Sequence, residues 1–133
     1  MLLMNHPEYM NQEDFRTRAA KLEEIRALGV DPYPAKFTPS DESADLLKKF
    51  ETKEVGSYED AAEGKGQAAS VAGRLVLFRA MGKNVFAHIQ DMSGRIQVMF
   101  NRDHTTVTGF SGTPELSPIK FIEKKIDLGD IIG

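Results

Sequence analysis

The chain has no cysteine, which excludes disulfides and thiolate–metal sites outright. It has no apolar run approaching the length that spans a bilayer. Its opening, MLLMNHP, lacks the basic region and long apolar core of a secretory signal. A soluble, cytoplasmic protein with no membrane partner is the expectation. Positive charge is not in excess either: 17 Lys and Arg against 20 Asp and Glu leave a net charge of −3. Taken alone, that balance argues against a nucleic-acid binder. The usual catalytic constellations are also missing. Neither Gly64-Lys65-Gly66 nor Gly82-Lys83-Asn84 has the glycine spacing or the following Ser/Thr of a phosphate loop. His6, His88 and His104 are scattered, with no carboxylate at metal spacing. No serine lies in a nucleophile elbow, and no pair of acids is placed for general acid–base work.

What is present is one domain's worth of chain: 133 residues, 41% apolar. Its charge is unevenly spread. Residues 1–70 carry nine Lys/Arg against fourteen Asp/Glu, and residues 71–133 carry eight against six. Between Val71 and Phe100 there are four basic side chains, Arg74, Arg79, Lys83 and Arg95, and a single acid, Asp91. Such a local surface binds phosphate, weakly and with strong salt dependence. Ordinary surface variation gives the same count, so charge alone does not decide.

Along the chain, residues 1–10 read as frayed. Asn11 is suited to cap a helix, with Glu13 and Asp14 in the first turn. Phe15, Ala19, Leu22 and Ile25 then recur at helical spacing, and Gly29 supplies a stop. Pro32 and Pro34 keep the next segment extended. A second helix is predicted from near Ser40, with Ala44, Leu47 and Phe50 on its apolar stripe. Glu63 to Gly66 reads as a flexible connection. The division that results is a helical extension and linker over residues 1–66, followed by a β-rich domain over 67–133.

The strand region carries its own register test. If Asp91-Met92-Ser93-Gly94 closes a hairpin with a two-residue loop, Ile89 falls opposite Ile96 and Ala87 opposite Val98. Val85, Ala87, Ile89, Ile96, Val98 and Phe100 then share the buried face. Phe86, His88, Gln90, Arg95, Gln97 and Met99 share the other. A slip of one residue would bury the polar set. The strand before them, Val71 to Arg79, is apolar on both faces around Gly73, as suits a sharply curved barrel strand. A loop follows over residues 101–113. Ser117-Pro118 then makes a helix start, with Ile119, Ile122 and Ile126 as its stripe. A further strand opens at Ile131. The predicted class is α+β, mainly β with flanking helices. The order of strands and helix is that of an OB-fold barrel, incomplete in its fourth and fifth strands.

Two blocks resemble the N-terminal region of bacterial lysyl-tRNA synthetases, which are class II enzymes. The first is Arg18-x-x-Lys21-Leu22-x-x-Ile25-Arg26-x-x-Gly29-Val30-Asp31-Pro32-Tyr33-Pro34. The second comprises Val71-Ala72-Gly73-Arg74, Arg79-x-Met81-Gly82-Lys83, Phe86, Gln90-Asp91, Gly94-Arg95-Ile96-Gln97, and Asp127 to Gly133. The resemblance implies an anticodon-binding barrel whose partner is the tRNA for lysine, with its U-rich anticodon loop, and not DNA. The parent enzyme would attach lysine using ATP and magnesium, as a homodimer. The chain itself would hold no cofactor, and it ends short of any catalytic domain, so it is expected to be inactive alone.

By the same resemblance Phe86 is a stacking platform, Gln97 reads the Watson–Crick edge of uracil, and Arg79 contacts the anticodon loop. The alternatives for these positions are a phenylalanine tucked under a loop, a solvated strand residue and a salt-bridged arginine. Lys83 is a phosphate contact or a plain turn residue. His88 takes no role from the family, and is a spectator or a base contact. Arg95 is electrostatic background. A glutamate on the family's final barrel strands lies beyond Gly133, so recognition by this chain is expected to be incomplete. Barrel strands left unpaired predict disorder near residues 126–133, or strand exchange between copies. Competing readings are an aspartyl- or asparaginyl-tRNA synthetase barrel and a generic single-strand-binding OB module.

Overall fold

The computed structural model describes residues 7–51 and 58–133. Residues 1–6, part of the segment read as frayed, lie outside that range, and Glu8–Asn11 forms a short 3-10 turn. Four α-helices and four strands follow: α1 (Glu13–Ala27), α2 (Ser43–Phe50), α3 (Tyr58–Ala62), β1 (Gly73–Met81), β2 (Asn84–Gln90), β3 (Arg95–Asn101), α4 (Pro118–Lys125) and β4 (Ile131–Ile132). The strands form one antiparallel sheet in the order β3-β2-β1-β4, an open half-barrel of the OB type accompanied by helices. Among the described residues no helix is long and apolar enough to cross a membrane.

The hairpin register is the one its alternation predicts. Ile89 pairs with Ile96 and Ala87 with Val98, and Asp91 N–H donates to Gly94 O at 3.0 Å to close the turn. Val85, Ala87 and Ile89 are buried, and Ile96, Val98 and Phe100 are partly so. Helix α4 buries Ile119, Phe121 and Ile122, each worth about 1.5–3 kcal/mol of transfer free energy. Ser117 caps α4 as its sequence predicts, accepting from Lys120 N, with proline at the first helical position. Ile126 lies just past the helix and is only partly buried, and Phe121 is the residue its stripe omitted. Phe121 stacks at 5.0 Å on Phe110 from the preceding loop, and Ile25 of α1 completes that cluster.

Three helix expectations need correction. Gln12, not Asn11, sits at the cap of α1 and makes no side-chain cap bond. Only Ile25 of the α1 stripe is buried, because Phe15 instead meets Tyr9 edge-on at 5.5 Å. Helix α2 starts at Ser43 rather than Ser40, and it buries Leu46 while Leu47 stays exposed. The later start has a tertiary cause, since α2 has no side-chain cap of its own. Its first amides donate to the β2–β3 turn instead, Ser43 N to Asp91 Oδ2 at 2.8 Å and Ala44 N to Ser93 Oγ at 3.0 Å. Upstream, Asp41 is drawn to Ser70, accepting from its N–H at 2.9 Å and donating its own N–H to Ser70 O at 3.0 Å.

The expectation for residues 126–133 is disorder or strand exchange between copies; in this structure the last strand pairs within its own chain's sheet. Ile131 and Ile132 pair with Arg74 and Gly73. The turn before them is held from three sides. Gly129 N–H donates to Leu75 O and Leu75 N–H to Asp130 O, both at 2.8 Å. Lys21 of α1 pairs with Asp127 at 2.6 Å, and Arg18 donates to Leu128 O at 3.3 Å. Arg74 donates to Gly129 O at 2.7 Å.

Candidate nucleic-acid interface

The outward face of the sheet is built row by row from the strand pairings. Arg79 of β1 stands opposite Phe86 of β2, which stands opposite Met99 of β3. The next row is Leu77–His88–Gln97, and the third is Arg74–Gln90–Arg95. Alternation along β2 and β3 alone puts Phe86, His88, Gln97 and Met99 there. Placing Arg79 in the first row takes something else.

Leu75 lies on the inner face opposite Ile89, and strict alternation would send Leu77 and Arg79 inward with it. A β-bulge between Leu75 and Leu77 inserts one extra residue, Val76, and reverses the phase. Leu77 therefore pairs with His88, and Arg79 with Phe86. This explains why the strand reads as apolar on both faces: its two halves face opposite ways. Sequence reasoning missed the bulge, and with it the outward place of Leu77. The one available signal was the unbroken apolar run Leu75 to Phe78, whose parity fits no single-phase strand.

Lys83 lies in the turn between β1 and β2, where Gly82 adopts φ +62°, the left-handed conformation that favours glycine at the first central position. Arg102 joins this corner by donating its N–H to Lys83 O at 2.9 Å. A second side-chain tie braces the same end of the sheet, Asn101 Nδ2 donating to Asn84 Oδ1 at 2.7 Å.

The side chains of the face divide by engagement. Arg74 is spent on Gly129 O, and Arg95 Nη2 donates to Gln90 Oε1 at 3.0 Å. Among the described residues the side chains of Arg79, Lys83, His88 and Gln97 make no hydrogen bond or ion pair. Phe86 and His88 are half-buried, while Arg79, Lys83 and Gln97 are exposed. Asp91, the only acid of the stretch, is fully occupied elsewhere. Its Oδ1 accepts from Ser93 N, Ser93 Oγ and Gly94 N at 2.6–3.0 Å, and its Oδ2 accepts from Ser43 N. The Ser93 hydroxyl, followed by the Ser43 N–H, holds its carboxyl well below the usual carboxylate range. What remains outward is an aromatic ring, an amide, an imidazole and unpaired cations on an open sheet.

That geometry agrees with what the sequence matches. Residues 69–133 match a family model described as an OB-fold nucleic acid binding domain of the tRNA anticodon type. The chain is 48% identical over 98% of its length to a lysine–tRNA ligase of Chlamydia caviae, and 51% identical over 95% to that of Chlamydia pneumoniae. It is also 37% identical over 96% of its length to that of Streptococcus suis. The chain is homologous to the N-terminal region of the lysine–tRNA ligases. It spans about a quarter of the length of these relatives: 25% of the first, 24% of the second and 23% of the third.

Among the described residues no group of three or more His, Asp or Glu could hold a metal ion.

Proposed function

We propose that this chain is the N-terminal part of a lysine–tRNA ligase, and that the outward face of β1–β3 reads the anticodon loop of the lysine tRNA. The observation that carries the reading is the pair of adjacent rows, Arg79–Phe86–Met99 and Leu77–His88–Gln97, open on the sheet of an OB domain. Phe86 stacks one splayed base, with Met99 and Leu77 widening the apolar floor. Gln97 offers a donor and an acceptor to a uracil edge. Arg79 stacks and hydrogen-bonds at once, which lysine cannot do. Lys83 meets backbone phosphate at the corner, and His88 lies within reach of the neighbouring nucleotide. This is the usual route to sequence in single-stranded RNA, by stacking and edge contacts on bases splayed from their loop.

The reading carries further parts. Residues 1–66 form a helical extension and linker, and 67–133 the binding domain. The whole protein joins lysine to its tRNA in the cytoplasm, with ATP and magnesium, as a homodimer, and DNA is no partner. A titration of the chain with a lysine anticodon stem-loop tests the recognition. The U-rich loop should bind more tightly than a variant changed at the central base. Phe86→Ala should weaken binding by roughly tenfold or more, from a stacking contribution of about 1–3 kcal/mol per base. Equal, salt-sensitive binding to every loop would leave only a generic basic OB surface.

A further inference from the structure

His88 stands at the centre of the nine-residue face, with Leu77 and Gln97 beside it on the flanking strands and Phe86 and Gln90 on its own. It is half-buried, so its ring is held against the sheet rather than swinging in solvent. Neither ring nitrogen has a hydrogen-bond partner among the described residues. The charged residues of the face around it are Arg79 and Arg74 on β1, Arg95 on β3 and Lys83 in the turn, and at the Lys83 corner Asp103 is paired with Arg102 at 3.5 Å. Asp91, at the β2–β3 turn, is consumed by the cap of α2 and its own turn. A centrally placed imidazole with two idle nitrogens and no ion-pair partner among the described residues is a contact awaiting an anionic, acceptor-rich ligand.

We propose that His88 contacts the RNA as an imidazolium, protonated in the complex. The inference rests on the anticodon-loop reading above. The charged ring donates to a base carbonyl or phosphate oxygen of the nucleotide next to the one stacked on Phe86. Single-stranded RNA crossing these rows brings phosphate charge to the ring, and a nearby negative charge favours the imidazolium. Binding therefore takes up a proton. Histidine changes charge between pH 5 and 8, so affinity rises as pH falls through that window.

The test is the affinity of the chain for the lysine anticodon stem-loop at constant ionic strength, from pH 8 to pH 5.5. It uses the unaltered chain, His88→Gln, His88→Lys and Phe86→Ala. The unaltered chain should bind roughly tenfold more tightly at the acidic end, the equivalent of one unit of proton linkage. His88→Gln should flatten that slope. His88→Lys should bind tightly across the range without a slope. Calorimetry in two buffers of different ionisation enthalpy should register proton uptake only when His88 is present. A slope that persists in His88→Gln, or no slope in the unaltered chain while Phe86→Ala still weakens binding, overturns the role of His88 and leaves the anticodon reading standing. Indifference to Phe86→Ala overturns that reading, and this inference falls with it.

Discussion

Between β2 and β3 the pairing runs unbroken from Asn84↔Asn101 to Gln90↔Arg95, whereas between β1 and β2 it breaks once, at Val76. Both pairs share β2 and its buried Val85, Ala87 and Ile89. In the regular pair, one parity assigns every residue to a face, so the core side and the binding side are two views of one pattern. In the bulged pair, β1 gives Leu75 to the core and, four residues later, Arg79 to the outer face. Equal parity in sequence becomes opposite sides in space. A bulge thus lets one strand close against β4 on its first half and present a cation beside Phe86 on its second.

Deleting Val76 should break this comparison with the largest effect. Restoring a single phase forces a choice between turning Arg79 into the core and turning Leu75 out of it. An unpaired buried charge alone costs about 3 kcal/mol or more. The expected outcome is a fall of that size in denaturant stability, together with lost stem-loop affinity. A deletion variant that keeps both would mean that some other feature places Arg79.

A smaller, cleaner contrast comes from two glycines. A Cβ at Gly73, where β1 enters the sheet, would sit 2.5 Å from both Gln90 O and Ile89 Cγ2. Backbone cannot yield cheaply there, and overpacking of this kind costs about 1–3 kcal/mol. At Gly94, in the β2–β3 turn, the nearest atom is Ala44 Cβ at 3.9 Å. Gly73→Ala should lower the unfolding midpoint clearly, and Gly94→Ala should stay within about 0.5 kcal/mol of the parent. Equal losses would show that the two pairs tolerate crowding alike.

The same contrast explains what was legible in the sequence. The β2–β3 register, its two faces and the cap of α4 follow from local chemistry, and Phe86, His88, Gln97 and Met99 could be placed outward from parity alone. The bulge could not, because nothing in Leu75 to Phe78 marks which residue is the extra one. The phase of α2 was misread because its cap arrives from Asp91 and Ser93, some fifty positions away in the chain, and only the folded sheet brings them there. The motifs that carry the family resemblance divide in the same way. Arg18 and Lys21 of the first block grip Leu128 and Asp127 of the second, so those residues join the helical segment to the strand turn rather than touch the outer face.

The smallest effect tests the cap itself. Asp91 has its carboxyl held low by the Ser93 hydroxyl and the Ser43 N–H, and Asp41 is shifted the same way, chiefly by the Ser40 hydroxyl and then the Ser70 N–H. For a carboxylate whose folded pKa lies below its unfolded one, the stabilisation is fully present above the unfolded value, about 3.9, and is lost as pH falls below it. Acidification below about pH 4 should therefore weaken the chain. Asp91→Asn should cost about 1 kcal/mol near neutrality, the usual worth of a helix cap, and should flatten the acid decline. An unchanged acid slope in Asp91→Asn would place the sensitive carboxylate elsewhere, with Asp41 the next to replace. If instead the slope flattens and stem-loop affinity at pH 7 also drops, the α2 contact does more than stabilise. It would then be holding the end of the β2–β3 pair where Gln90 and Arg95 stand, so that the regular half of the sheet depends on a helix for its shape as the irregular half depends on Val76.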